Sequence, residues 1–158
     1  MAKSALFPGS FDPFTIGHYS VVERALSMFD RVVIGVGVNS SKNNFFTVDQ
    51  RLQYINSVFK DMNDRVDAVS YQGLTINYCL QNDLRFIIRG IRNSRDFIFE
   101  NEIAGMNHTL SREVETVFLA SHPEHAVVNA TIVREILRNG GDVSKFIPVG
   151  TTLPNHSK

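Results

Sequence analysis

The stretch VVIGVGV, Val32–Val38, offers no polar side chain to water. A strand of that kind needs cover on both faces, and parallel sheets supply it because their crossovers lay helices on each side. Strand-length apolar runs recur at Ala5–Phe7, Val66–Tyr71, Phe86–Ile88 and Thr116–Ala120. Helical patterns separate them. Val22, Ala25, Leu26 and Phe29 keep a 3.6 period, as do Leu52, Ile55 and Phe59 behind the capping box TVDQ at Thr47. Further helices are predicted over Thr75–Gln81, Ser94–Leu110 and Thr131–Asn139, the last opened by Thr131 as a cap and closed by Gly140 and Gly141. The order βαβαβαβαβα predicts an α/β fold: a doubly wound, Rossmann-like five-stranded parallel sheet with helices on both faces. In such a sheet ligands gather beyond the carboxyl ends of the strands.

No repeat or linker divides the 158 residues, so one domain is expected, with a catalytic core over about 1–148 and a short tail. A lone cysteine, Cys79, excludes a disulfide framework. No apolar run reaches the roughly 18 residues of a membrane span, and nothing reads as a secretory leader, so a cytoplasmic protein with no membrane partner is expected. Lys plus Arg and Asp plus Glu both count 16, which gives no global field for a nucleic-acid partner.

The strand ends sort the residues further. Strand one feeds Gly9-Ser10-Phe11-Asp12 and then His18; strand two feeds Asn39 to Lys42. Strand four runs into Arg89-Gly90-Ile91-Arg92, and strand five leads through Ser121 toward Asn129-Ala130-Thr131. One edge of the sheet thereby collects a histidine, a lysine, two arginines, hydroxyls and two helix amino ends, an inventory suited to phosphate. There is no GxxxxGK[ST], GxGxxG turn, HExxH or GxSxG, and the five histidines lack zinc-ligand spacing. The one G-x-G, Gly35 to Gly37, lies inside a predicted strand and is read as close packing of a helix on the sheet. What fits is phosphoryl or nucleotidyl transfer, in which cations place two anions in line. An attacking phosphate is already ionised and needs no protein base. His18 can present a ring N–H to a triphosphate; Asp12 is read as supporting its turn through local hydrogen bonds rather than organising magnesium, and Arg85 and Arg95 as surface charges.

The motifs PGSFDPFTIGH, NSSK, TVDQR, RGIR, DFIFE, NHTLSREVETVFLAS and TIVRE with GGDVSKFIP, in that order, make the chain similar to the phosphopantetheine adenylyltransferase family of the T/HxGH nucleotidyltransferase superfamily. The resemblance runs from the amino terminus to about Pro148. It implies transfer of AMP from ATP to 4′-phosphopantetheine, giving dephospho-CoA and pyrophosphate, with magnesium carried by ATP, a homohexamer, and coenzyme A as a candidate feedback inhibitor. It implies a catalytic role for His18, with Ser10 between the two substrates and Phe11 beside the nucleotide. Lys42, Arg89 and Thr75 fall on acceptor positions. Gly90, Ile91, Arg92, Glu100 and the segment His125, Ala126, Val127, Val128, Asn129, Ala130 and Thr131 fall on ATP positions. The family frequently carries ISSS or ISST where this chain reads VNAT, so Ala130 lacks a hydroxyl that relatives have. Two alternatives stay open: another nucleotidyltransferase, using nicotinate mononucleotide with ATP or glycerol phosphate with CTP, and a nucleotide-binding module without turnover.

Overall fold

The computed structural model describes residues 3–39, 41 and 43–155. Five strands alternate with five α-helices: β1 Ser4–Gly9, α1 Ile16–Ala25, β2 Arg31–Gly37, α2 Val48–Val58, β3 Val66–Tyr71, α3 Thr75–Gln81, β4 Phe86–Ile91, α4 Ser94–Leu110, β5 Glu115–Ala120 and α5 Ala130–Arg138. All strand pairs are parallel, in the order β3-β2-β1-β4-β5. The chain order reverses direction at the β1/β4 boundary, so the ends of those two strands flank the crevice where such sheets take ligands. Among the described residues no helix is long and apolar enough to cross a membrane.

Side-chain alternation explains why both faces are covered. Ala5, Phe7, Val32, Ile34, Val36 and Ile88 belong to one core with Val21, Val22 and Ala25 of α1 and Tyr54 and Ile55 of α2. Leu6, Val33 and Ile87, one residue out of phase, belong to a second core with Ile76 and Cys79 of α3. The unbroken apolar run of β2 is therefore divided between two layers.

Three sequence expectations change. β4 extends to Ile91 rather than ending at Ile88, because Arg89, Gly90 and Ile91 pair with Phe118, Leu119 and Ala120 of β5. Polar Arg89 stays in the strand because its guanidinium finds partners at the sheet edge. The α5 cap is Asn129, whose side chain accepts from the Ile132 N–H at 2.9 Å, while Thr131 sits within the first turn. Gly35 makes room for a ring rather than a helix: a Cβ there would stand 2.9 Å from Leu6 Cδ1 and 3.0 Å from Tyr71 Cε1. The close contact of helix with sheet falls at Gly90, where a Cβ would lie 3.1 Å from Val21 of α1.

Candidate active site

The turn after β1 has a shape that must be held from outside. Phe11 takes φ +47°, a left-handed conformation costing a bulky residue about 1–3 kcal/mol. Its ring lies against Gly9, where a Cβ would come within 2.9 Å of it, and meets Phe7 edge-on at 5.2 Å between centroids. The Asp12–Pro13 peptide is cis. Buried Arg51 donates from Nη1 to the Ser10 carbonyl at 2.7 Å, and Arg134 of α5 donates to the Asp12 carbonyl at 2.6 Å. The Asp12 carboxylate does not make the local bonds expected of it. It accepts from the Phe45 and Phe46 N–H groups at 2.7 and 2.9 Å, because the buried turn faces that distant backbone.

His18 is the third residue of α1, behind the N-cap Thr15. Its backbone N–H donates to Thr15 Oγ1 at 3.4 Å, and its Nδ1 accepts from the Thr15 N–H at 2.9 Å, closing a capping box. A nitrogen that accepts carries no proton, so the ring proton sits on Nε2. Burial, then the charges of Arg92 and Arg89, push the pKa of this half-buried imidazole down to about 3. At neutral pH it is a neutral ring with one N–H to offer. Capping and ligand-directed donation thus use different nitrogens of the same residue.

Two cavities adjoin at the carboxyl ends of β1 and β4. One, of about 390 Å³, brings together Ser10, Phe11, His18, Gly90, Arg92 and Glu100 with His125, Val128, Asn129, Ala130 and Thr131. The other, of about 310 Å³, has Thr75, Tyr71, Asn39, Asn44 and Asn107 on its walls. Pro8, Gly9, Ser10, Arg89 and Glu100 belong to both and form the partition. Ile91, Ala126 and Val127 are not brought onto either lining, and Val127 is 77% exposed. Lys42 lies outside the described residues.

The partition is electrically balanced. Arg89 forks onto Glu100, Nε to Oε2 at 2.6 Å and Nη2 to Oε1 at 2.5 Å, and Nη1 donates to the Pro8 carbonyl at 2.6 Å. That fork fixes the guanidinium at the end of β4. Arg92 pairs with Asp96, Nε to Oδ2 at 2.9 Å. Burial opposes the Asp96 charge, but bonds from the Arg92 side chain and backbone outweigh it and hold the carboxyl below its ordinary range. Arg85 pairs at the surface with Asp83 and Glu113.

Sequence reasoning missed Arg134, Asp96, Tyr71, Asn44 and Asn107. Arg134 was legible in principle, since it stands three residues after Thr131 on the same helical face and bonds to it at 3.1 Å. Tyr71 was not: its hydroxyl meets Thr75 at 2.8 Å only because Gly35 leaves space beneath its ring.

A profile of the cytidylyltransferase-like family matches residues 6–136. The chain is 48% identical over 151 residues to a phosphopantetheine adenylyltransferase of Bacteroides thetaiotaomicron, covering 96% of this chain and 99% of the relative. It is 42% identical over 146 residues to one of Flavobacterium psychrophilum, covering 92% and 95%. A solved bifunctional NMN adenylyltransferase/ADP ribose pyrophosphatase of Francisella tularensis, complexed with AMP and Mn ion, has a TM-score of 0.67 at 20% identity. That match covers 93% of this chain but 44% of the bifunctional protein, and shows the fold. Sheet order, a capped histidine on the wall of the 390 Å³ cavity, and near full-length identity converge, and the chain belongs to the cytidylyltransferase-like family and, within it, to the phosphopantetheine adenylyltransferases.

Proposed function

We propose that the chain transfers the AMP moiety of ATP to 4′-phosphopantetheine, forming dephospho-CoA and pyrophosphate in coenzyme A biosynthesis. The observation that carries this reading is the pair of cavities sharing Ser10 and the Arg89–Glu100 partition. ATP occupies the 390 Å³ cavity, its phosphates near His18, Arg92 and the amino end of α5. The arm of the acceptor occupies the 310 Å³ cavity beside Thr75, and its phosphate approaches across Ser10. Lys42 and Arg89 serve the acceptor phosphate.

Chemistry is in-line displacement. An oxygen of the acceptor phosphate attacks the α-phosphorus of ATP, the bond from that phosphorus to the bridging oxygen breaks, and pyrophosphate leaves with the electron pair. The nucleophile is already an anion, so no protein base or covalent intermediate enters. His18 donates its Nε2–H to phosphate oxygens as charge shifts toward the leaving group, and Arg92 supplies fixed positive charge. Magnesium would come bound to the nucleotide and would supply charge neutralisation there. The donor set fits this, because Asp12, Asp96 and Glu100 already spend their carboxylates on amides and arginines, so these side chains would not be its principal ligands.

The protein acts in the cytoplasm as one catalytic domain and as a homohexamer. Self-association is supported by α4, where Ile98, Phe99, Met106 and Leu110 are each at least 60% exposed. Coenzyme A, combining a pantetheine arm with an adenine nucleotide, suits both cavities and acts as a feedback inhibitor. The test is pyrophosphate release with a panel of acceptors. Release is expected with ATP plus phosphopantetheine and not with ATP plus nicotinate mononucleotide or CTP plus glycerol phosphate. Turnover confined to another acceptor, or ATP binding without release from any acceptor, overturns the reading.

A further inference from the structure

Asp12 takes no part in the chemistry above, yet few side chains in the protein are so completely committed. It is 3% exposed, and both carboxylate oxygens are used: Oδ2 by the Phe45 N–H at 2.7 Å and Oδ1 by the Phe46 N–H at 2.9 Å. Two consecutive amides aimed at one residue need an acceptor at each oxygen, which a carboxylate provides and a carboxamide does not. The bonds cross 33 and 34 residues, from the turn under the nucleotide cavity to the segment between β2 and α2. That segment lends Asn39 and Asn44 to the wall of the other cavity. On its backbone side the same residue gives its carbonyl to Arg134, which lines the nucleotide cavity. Arg51, 2% exposed and bonded to the Ser10 carbonyl, supplies the neighbouring positive charge that lets a carboxylate remain buried there.

We infer that Asp12 is a positioning residue for the acceptor: by gripping the amides of Phe45 and Phe46 it fixes Asn44 and the 310 Å³ cavity in register with the nucleotide-binding turn. This rests on the adenylyl-transfer reading of the two cavities. An Asp12→Asn chain keeps the shape of the side chain but sets an NH₂ donor against an amide donor, releasing one of the two amides. The acceptor side should loosen while the Arg134 contact to the backbone carbonyl survives.

The decisive measurement is steady-state kinetics of wild type and Asp12→Asn at a temperature where both are folded. The KM for phosphopantetheine should rise about tenfold, equivalent to about 1.4 kcal/mol of acceptor affinity. The KM for ATP should stay within about twofold, because the bond from Arg134 goes to the Asp12 backbone carbonyl, which the substitution leaves in place. A purely structural role would instead lower the active fraction, reducing kcat with both KM values unchanged. Asn44→Ala should also raise the acceptor KM, and its effect should not add to that of Asp12→Asn. Equal rises in both KM values, an unchanged acceptor KM, or full additivity would each overturn the inference. Wild-type failure to use phosphopantetheine would instead sink the reading beneath it. Hydrogen exchange on wild type needs no variant: the Phe45 and Phe46 amides should exchange at least about 100-fold more slowly than unprotected amides. Exchange at the rate of free backbone would refute the grip itself.

Discussion

His18→Gln separates two duties that His18→Ala removes together. Glutamine at the third helical position is a usual capping-box partner, and α2 already contains that arrangement, with Thr47 N–H donating to Gln50 Oε1 at 3.0 Å. The substitution therefore preserves the bond to the Thr15 N–H. What it deletes is the ring: the Nε2–H, the edge contact to Phe11 at 5.0 Å and the tilted contact to Phe14 at 5.4 Å. The lost ring contacts amount to about 0.5–1.5 kcal/mol of stability. Losing one donor to developing phosphate charge is worth about 2.7–4 kcal/mol, or about 10²–10³ in kcat. His18→Ala should show the same fall in kcat with about 1 kcal/mol more destabilisation, the worth of the cap. Pyrophosphate release at saturating substrates gives the first quantity and urea unfolding the second. If His18→Ala turns over within about threefold of wild type, donation by Nε2–H is not what this histidine contributes, and the account of the site fails at its centre.

Acid titration offers an independent check on the same imidazole. With a folded pKa of about 3 against an ordinary 6.5, the unfolded chain binds a proton below pH 6.5 that the folded chain refuses. Stability from this group is complete above pH 6.5 and is lost as pH falls toward 3. By pH 5 the loss is at most about 2 kcal/mol, and urea midpoints at pH 7 and 5 should converge when wild type is replaced by His18→Gln. Gly35→Ala should cost about 1–3 kcal/mol by urea unfolding, because its methyl meets Leu6 and Tyr71 at 2.9 and 3.0 Å; an unchanged midpoint would mean the ring yields freely. Glu100→Gln leaves Arg89 one carboxamide oxygen in place of two carboxylate oxygens and should cost about 1.5–3 kcal/mol at low salt, measured the same way, with no loss counting against a structural fork.

The linear pattern carried a great deal of the outcome. Local pattern placed helices at about Thr75–Gln81 and Ser94–Leu110 and a strand at Val66–Tyr71, where α3, α4 and β3 stand, because apolar runs and helix caps are local properties that the backbone obeys wherever it lies. The rule that strand ends share one edge then gathered His18, Arg89, Arg92 and Asn129 around the same crevice. Which charges are already matched is a different kind of question. Arg89 reads as an open fork for phosphate, yet Glu100, eleven residues onward, occupies two of its donor nitrogens. Asp12 reads as a turn residue, yet its partners stand on the far side of β2. The space Gly35 keeps for Tyr71 and the extension of β4 along β5 are likewise settled by neighbours distant in sequence. Hydrogen bonds and Coulomb forces act over a few ångströms of space without regard to chain separation, so the letters determined which elements form, and only their packing decided which polar atoms remain available to a substrate.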